Sequence, residues 1–91
     1  MKIKRVQMVF TDHAIERALE RLRGSNIVNP SKDMCNSIEV ALRCIIEPSG
    51  INFLEGTIYK AKIEGYDDYR AVIVVEDGVH IVKTIAPIIK G

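Results

Sequence analysis

The spacing of apolar residues changes at about residue 51, and this change constrains the fold more than any other feature of the chain. Before it, apolar side chains recur every three or four residues in two stretches, as they do in amphipathic helices. After it, they alternate with polar side chains, as they do in half-buried strands. A chain of 91 residues suits one compact domain. The order of the patterns predicts an α+β domain with both helices on one face of an antiparallel sheet.

The N-terminal part contains a short β-rich segment followed by an amphipathic stretch. Residues 3–10 predict a first strand. Thr11 and Asp12 then supply an N-cap and Gly24 supplies a stop, so a first helix is predicted between them. The apolar stripe of this helix consists of Ala14, Ile15, Ala18, Leu19 and Leu22.

A second amphipathic stretch follows a short connection. Asn29 is a capping residue and Pro30 suits the first helical position, so the second helix is expected to begin there. Its end is expected at residues 48–50, which read Pro-Ser-Gly. Its apolar stripe consists of Met34, Ile38, Ala41, Leu42 and Ile45.

The C-terminal part predicts about four strands joined by short turns. The expected strands are residues 51–53, 57–63, 68–75 and 79–86, with Pro87 ending the pairing. In the second of them, one face carries Tyr59, Ala61 and Ile63, and the other carries Lys60 and Lys62. Together with the N-terminal strand and the two helices, these strands complete the predicted α+β domain.

The loop between the last two strands leaves their register open. If residues 76–78 form a three-residue loop with a glycine bulge, Val75 pairs with Val79 and Arg70 shares a face with Thr84. If only residues 77–78 turn, in a type I′ geometry, the parity reverses and Arg70 joins Lys83. The sequence allows both arrangements.

Charge is nearly balanced overall but unevenly distributed. The chain has 13 Lys and Arg against 12 Asp and Glu, a net charge of +1. Residues 1–23 hold six basic and three acidic side chains, so the basic excess lies in the first quarter. This balance excludes a polycationic arm that binds nucleic acid by charge alone, but it allows a local basic site.

The two cysteines, Cys35 and Cys44, fall in one predicted helix. Nine residues of helix separate them by roughly 13.5 Å, too far for a disulfide, so two thiols in a reducing compartment are expected. Two cysteines without CxxC spacing are too few for a zinc site. No apolar run is long enough for a membrane span, and the N-terminus lacks the pattern of a signal peptide. We therefore expect a cytoplasmic protein without membrane, metal or cofactor.

A polar row lies along the first predicted helix. His13, Arg17 and Arg21 recur at i, i+4 and i+8, beside the alanine side of the apolar stripe. Guanidinium groups match phosphate oxygens, and a histidine moves protons near neutral pH. RNA supplies its own nucleophile, the 2′-hydroxyl, so its cleavage needs acid, base and charge stabilisation without a metal. The row therefore suits phosphodiester chemistry.

Each polar candidate also has a structural interpretation. The row, interleaved with Glu16 and Glu20, also describes an ordinary solvated helix face with ion pairs, and composition alone favours this interpretation. His80 fits packing within a strand better than catalysis. Lys60 and Lys62 fit a solvated sheet edge as well as they fit phosphate contact. Arg70, in an otherwise apolar strand, is either a functional group or a guard against edge-to-edge aggregation.

Two motifs resemble a known superfamily. The first is T-x-H-A-x-x-R-x-x-x-R from Thr11 to Arg21; the second joins the Tyr69-Arg70-Ala71-Val72 strand to Val82-Lys83-Thr84 in the final strand. They resemble small bacterial and phage domains of the barnase–EndoU–colicin–RelE-like ribonucleases, over nearly the whole chain in element order. The resemblance implies a metal-independent endoribonuclease, often a toxin, that cleaves tRNA or mRNA by 2′-hydroxyl attack.

The resemblance also implies roles for particular residues. His13 would be the general base or acid, Arg17 and Arg70 would hold the phosphate, and Thr84 would orient it. The residues expected to contact substrate are Arg21, Tyr69, Lys83 and Lys60. The alternative is a non-catalytic phage or mobile-element protein of the same fold that binds RNA or protein. The expected partners are RNA, an inhibitor or antitoxin protein, and a second copy joined through a sheet edge.

Convergence of side chains discriminates between these hypotheses. The enzyme hypothesis requires His13, Arg17, Arg70 and Thr84 to meet in one concave site. It fails if Arg17 and Arg70 lie on opposite sides of the molecule.

Overall fold

A computed structural model describes residues 7–24, 27, 29–47 and 54–88, except for the side chain of Glu47. The elements, in chain order, are β1 (Met8–Phe10), α1 (Asp12–Arg21), α2 (Lys32–Ile45), β2 (Ile46–Glu47), β3 (Ile58–Ile63), β4 (Tyr69–Glu76) and β5 (Val79–Pro87). The predicted α+β class is confirmed.

The strands form one mixed sheet in the order β1-β5-β4-β3-β2. The N-terminal strand β1 joins the sheet at an edge and pairs parallel with β5, with Met8 opposite His80. The other pairs are antiparallel. The short strand β2 was not predicted. The strand predicted at residues 51–53, and the beginning of the one predicted at 3–10, lie outside the described residues.

One hydrophobic core lies between the two helices and one face of the sheet. The helices contribute most of the apolar positions predicted from their stripes, each 8% exposed or less: Ala14, Ile15, Ala18, Leu19, Leu22, Ile38 and Leu42. Met34 and Ala41, which the predicted stripe of α2 also included, are exposed instead. The three long strands contribute residues that are all 4% exposed or less, alternating along β3 and β4 and separated by two residues on β5: Ala61, Ile63, Ala71, Ile73, Val82 and Ile85. Since successive strand residues point to opposite faces, the residues between them lie on the face away from the helices. We call this the outer face.

Helix α1 begins as predicted and ends early. The Thr11 Oγ1 accepts the Ala14 N–H at 3.1 Å, which confirms Thr11 as the N-cap. The helix ends at Arg21 rather than at Gly24. Gly24 instead occupies the connection after the helix, where its φ of +63° is readily accessible to a residue without a Cβ.

Both predicted ends of α2 were wrong. Ser31, not Asn29, caps it: the Ser31 Oγ accepts the Met34 N–H at 3.2 Å, and the helix begins at Lys32, after Pro30. The helix ends at Ile45 instead of residues 48–50, because Ile46 takes an extended conformation and leads directly into β2. Strand pairing with β3 therefore ends the helix before its proline is reached.

The loop between β4 and β5 has two residues. Asp77 and Gly78 have φ of +52° and +74°, as a type I′ turn requires, and Glu76 pairs with Val79. This selects the two-residue alternative at the turn.

A bulge then restores the other register. Between Val72 and Ile73 the pairing shifts by one residue, and Lys83 is the extra residue on β5. Beyond the bulge, Val72 lies opposite Thr84, and Arg70 lies opposite Ala86. Arg70 and Thr84 therefore share the outer face, as the three-residue alternative proposed, although the loop itself has two residues.

The end of β5 also differs from the prediction. Pro87 does not end the pairing, since it lies opposite Tyr69 and belongs to β5. The Ile88 N–H then donates to the Asp68 carbonyl at 2.8 Å.

Candidate nucleic-acid interface

The predicted row on α1 exists, but its first arginine is paired. His13 is exposed, and the Arg17 side chain, 36% exposed, forms an ion pair with Glu20 at 2.5 Å. A surface pair of this kind stabilises a fold by about 0–1 kcal/mol, so Arg17 is held only weakly. This arrangement matches the interpretation of the row as a solvated helix face.

Arg21 protects the edge of the sheet. Because β1 pairs with β5 only as far as Val82, the Ile85 carbonyl beyond it has no strand partner from β1. The Arg21 Nη1 donates to this carbonyl at 2.6 Å. The Thr11 Oγ1 lies 3.2 Å and 3.1 Å from the Val82 and Lys83 carbonyls, so its hydroxyl covers the same edge. Arg21 therefore has a structural role, and the structure does not place it with the other predicted substrate contacts.

The four predicted catalytic residues do not converge. His13 and Arg17 lie on α1, on the side of the sheet that carries the helices. Arg70 and Thr84 alternate with the buried Ala71 and Ile85, so they lie on the outer face. The sheet separates the two pairs. Of the predicted set, the structure brings together only Arg70 and Thr84.

The outer face gathers most of the remaining predicted contacts. Lys62 lies opposite Arg70, and Lys60 lies opposite Val72, which in turn lies opposite Thr84. Cross-strand neighbours on one face approach within about 4.5–5.5 Å at Cβ. Lys83, the extra residue of the bulge, lies next to Thr84 on the same face. Lys60, Lys62 and Lys83 are all exposed.

We call Lys60, Lys62, Arg70 and Lys83 the basic strip. It crosses β3, β4 and β5 instead of following one strand. Tyr69, a predicted substrate contact, is not part of it, since its ring packs against the core on the helix side.

Acidic residues bound the basic strip at both ends of the strands. Glu64, Asp67 and Asp68 are exposed in the segment between β3 and β4, and Glu76 is exposed beside the other turn. Among the side chains that the structure describes, the middle of the outer face carries only basic, hydroxyl and apolar groups. A long anion is therefore attracted across the three strands and repelled from their ends.

Arg70 is held in place by its own backbone surroundings. Its Nη1 donates to the Tyr69 carbonyl at 2.8 Å and to the Asp67 carbonyl at 3.2 Å. Nη2 and Nε have no acceptor within the described part of the chain, and a guanidinium carries five N–H donors in a fixed plane. The side chain is therefore oriented while donors stay available for an anion.

A groove opens beside Arg70. It has a volume of about 520 Å³ and is lined by Lys60, Arg70, Ala86, Pro87 and Ile88. Its walls combine two cations from neighbouring strands with an apolar surface at the end of β5. Sequence patterns missed the last three residues, because their position beside Lys60 follows only from the strand order and the bulge.

His80 belongs to the packing on the helix side. It is 8% exposed, and its Nδ1 lies 2.5 Å from the Tyr59 hydroxyl, with the two rings edge to face. Burial raises the pKa of the Tyr59 hydroxyl above its ordinary value of 10.0. This supports the interpretation of His80 as a packing residue.

Other site types find little support in the described residues. They contain no group of three or more His, Cys, Asp or Glu side chains that could hold a metal ion. Cys35 and Cys44 are both free thiols on α2. The helices that the structure describes are too short and too polar to cross a membrane.

Comparison with known proteins adds no assignment. The chain matches no family model, no curated protein and no solved structure. The resemblance to the ribonuclease superfamily therefore stays a prediction.

Proposed function

We propose that the protein binds single-stranded RNA through its phosphate backbone, on the outer face of the sheet. The observation that carries this proposal is the basic strip: four cations on one open face, spread over three adjacent strands. Among the side chains that the structure describes on β3, β4 and β5 and their turns, the acidic ones lie at the ends of the strands. Lysine and arginine supply the charge that phosphate contacts need. RNA is the polyanion that the resemblance to the ribonuclease superfamily implies, and the free thiols fit a reducing cytoplasm.

Binding is proposed in place of cleavage. An RNA strand on the outer face is separated by the sheet from His13 and Arg17 on α1. The general base and one phosphate ligand of the cleavage hypothesis are therefore on the wrong side of the molecule for Arg70 and Thr84. This favours the non-catalytic alternative, in which a few placed cations hold RNA on a protein of nearly neutral net charge.

Paired substitutions on the two faces test the binding site. Fluorescence anisotropy is measured with a labelled single-stranded RNA of about ten nucleotides, a length typical of single-strand sites. Arg70→Ala should weaken binding, while the matched Arg17→Ala on α1 should leave it unchanged. The proposal is overturned if wild type binds no RNA, or if Arg17→Ala and His13→Ala weaken binding while Arg70→Ala does not. Single-stranded DNA and duplex RNA of equal length show whether the strand type matters.

A cleavage assay tests the rest of the proposal. The same RNA is incubated with excess wild-type protein and with His13→Ala in EDTA, and the products are resolved on a denaturing gel. Intact RNA in both reactions is expected. Cleavage by wild type that survives EDTA and disappears in His13→Ala would restore the ribonuclease hypothesis and refute binding without catalysis.

A further inference from the structure

The groove beside Arg70 has two chemically different parts. Lys60 and Arg70 supply positive charge on one side, while Ala86, Pro87 and Ile88 supply an apolar surface on the other. A phosphate-only contact needs the charges but gains nothing from the apolar surface. The groove therefore suits a ligand that is anionic at one end and apolar and flat at the other.

We propose that this groove is a nucleotide subsite, which takes one unstacked base against Ala86, Pro87 and Ile88 and its phosphate between Lys60 and Arg70. This inference rests on the proposed function and deepens it, since the basic strip alone predicts backbone contact without any base contact. Proteins that bind single strands commonly hold splayed bases against apolar or aromatic side chains.

The size and position of the groove agree with this occupant. Its volume of about 520 Å³ lies within the range of about 300–1,000 Å³ that small-ligand sites occupy. Lys60 lies opposite Val72 and Lys62 opposite Arg70, so Lys60 and Arg70 are diagonal neighbours on adjacent strands. Diagonal positions lie about 7–8 Å apart, a separation that lets two long cationic side chains contact one phosphate from both sides.

The strand end gives the subsite its floor. Ala86 lies directly opposite Arg70, and its small side chain leaves the space that a larger residue would fill. The Ile88 N–H donates to the Asp68 carbonyl, which fixes the position of Ile88 beside the end of β5. The described lining of the groove is therefore held in place by backbone pairing before a base enters it.

Small probes separate the two parts of the subsite. Adenosine 5′-monophosphate, adenosine and inorganic phosphate are titrated separately into the 91-residue protein, and the methyl resonances of Ala86 and Ile88 are followed by NMR. The monophosphate should shift both resonances and bind about tenfold or more tightly than either fragment, a difference of about 1.4 kcal/mol. Equal effects of the monophosphate and inorganic phosphate would overturn the base contact.

Two substitutions change the floor without changing charge. Ala86→Leu fills the groove, and Ile88→Ala removes part of the floor at a half-buried site after β5. In each variant, the monophosphate should no longer shift the methyl resonance of the unsubstituted residue of the pair. Affinity for the RNA oligonucleotide should fall several-fold, while the salt dependence of binding stays that of wild type. Lys83→Ala, outside the groove, should lower the affinity for the RNA oligonucleotide and leave the affinity for the monophosphate unchanged.

The outcomes keep the two proposals apart. RNA binding that depends on the basic strip but ignores both floor substitutions refutes the subsite and keeps the proposed function. Monophosphate binding that both floor substitutions abolish, with no RNA binding, refutes the proposed function and keeps the nucleotide site. Absence of both refutes both.

Discussion

Salt dependence gives the sharpest quantitative test of the outer face. Each phosphate that a cation neutralises on single-stranded nucleic acid contributes about −0.7 to the slope of log affinity against log salt concentration. The basic strip holds four cations on the exposed or half-buried outer face. If each contacts one phosphate, the slope is about −2.8, and affinity falls about 50-fold between 50 and 200 mM salt.

Lys83→Ala is the perturbation to use. Lys83 is exposed and is the extra residue of the bulge. Its backbone carbonyl, which the substitution keeps, accepts a hydrogen bond from the Thr11 hydroxyl. The slope should fall to about −2.1, and the affinity loss over the same salt range should fall to about 18-fold. The circular dichroism spectrum should match that of wild type, because the substitution leaves the fold and the pairing of β5 intact.

The measurement is anisotropy of the labelled RNA at a series of salt concentrations, with Arg17→Ala as the matched control. Arg17 is a cation of the same charge on the helix side, so its removal should leave the slope unchanged. The reasoning is refuted if Lys83→Ala retains the wild-type slope, or if Arg17→Ala reduces the slope as much as Lys83→Ala does.

Three further predictions concern the elements that support the face. Arg21→Ala removes the donor to the Ile85 carbonyl and should lower the free energy of unfolding by about 1 kcal/mol in urea titration, with RNA affinity unchanged. Weaker RNA binding by a variant of wild-type stability would instead show that Arg21 contacts RNA. Gly78→Ala forces a Cβ into a φ of +74° and should cost about 1–2 kcal/mol in the same titration, and an unchanged midpoint would contradict the type I′ turn. Tyr59→Phe removes the hydroxyl that contacts His80 and should cost about 1 kcal/mol near neutral pH. Because burial raises the Tyr59 pKa, the hydroxyl stabilises the fold below pH 10, and this stabilisation is lost as the pH rises through the folded pKa. The free energy of unfolding of Tyr59→Phe should therefore fall less at alkaline pH than that of wild type. Equal alkaline losses in the two proteins would contradict the prediction.

Much of the fold was predictable because local patterns report burial directly. The apolar stripe predicted for α1 consists of side chains that the structure buries, and Thr11 correctly predicted the start of the helix. The alternation of Tyr59, Ala61 and Ile63 against Lys60 and Lys62 was confirmed, since strand residues must alternate between a covered and an open face. Helix ends were less predictable: strand pairing at Ile46 ended α2 before any sequence stop.

The site was less predictable than the fold, because it depends on parity between distant strands. The i, i+4, i+8 spacing correctly aligned His13, Arg17 and Arg21, but it carried no information on which face of the sheet would hold Arg70. A pattern within one helix cannot show what lies across a sheet from it. The cleavage hypothesis therefore joined residues that the structure places on opposite faces.

By itself, the sequence determined the two helices and the three long strands, because these elements follow from the spacing of apolar residues along one chain segment. Only the tertiary structure decided that β1 pairs parallel with β5 and that a bulge inserts Lys83. A one-residue shift in pairing moves every later side chain to the other face. That shift turns Thr84 and Ala86 to the outer face, while the separate pairing of β3 with β4 sets Lys60 and Lys62 beside Arg70.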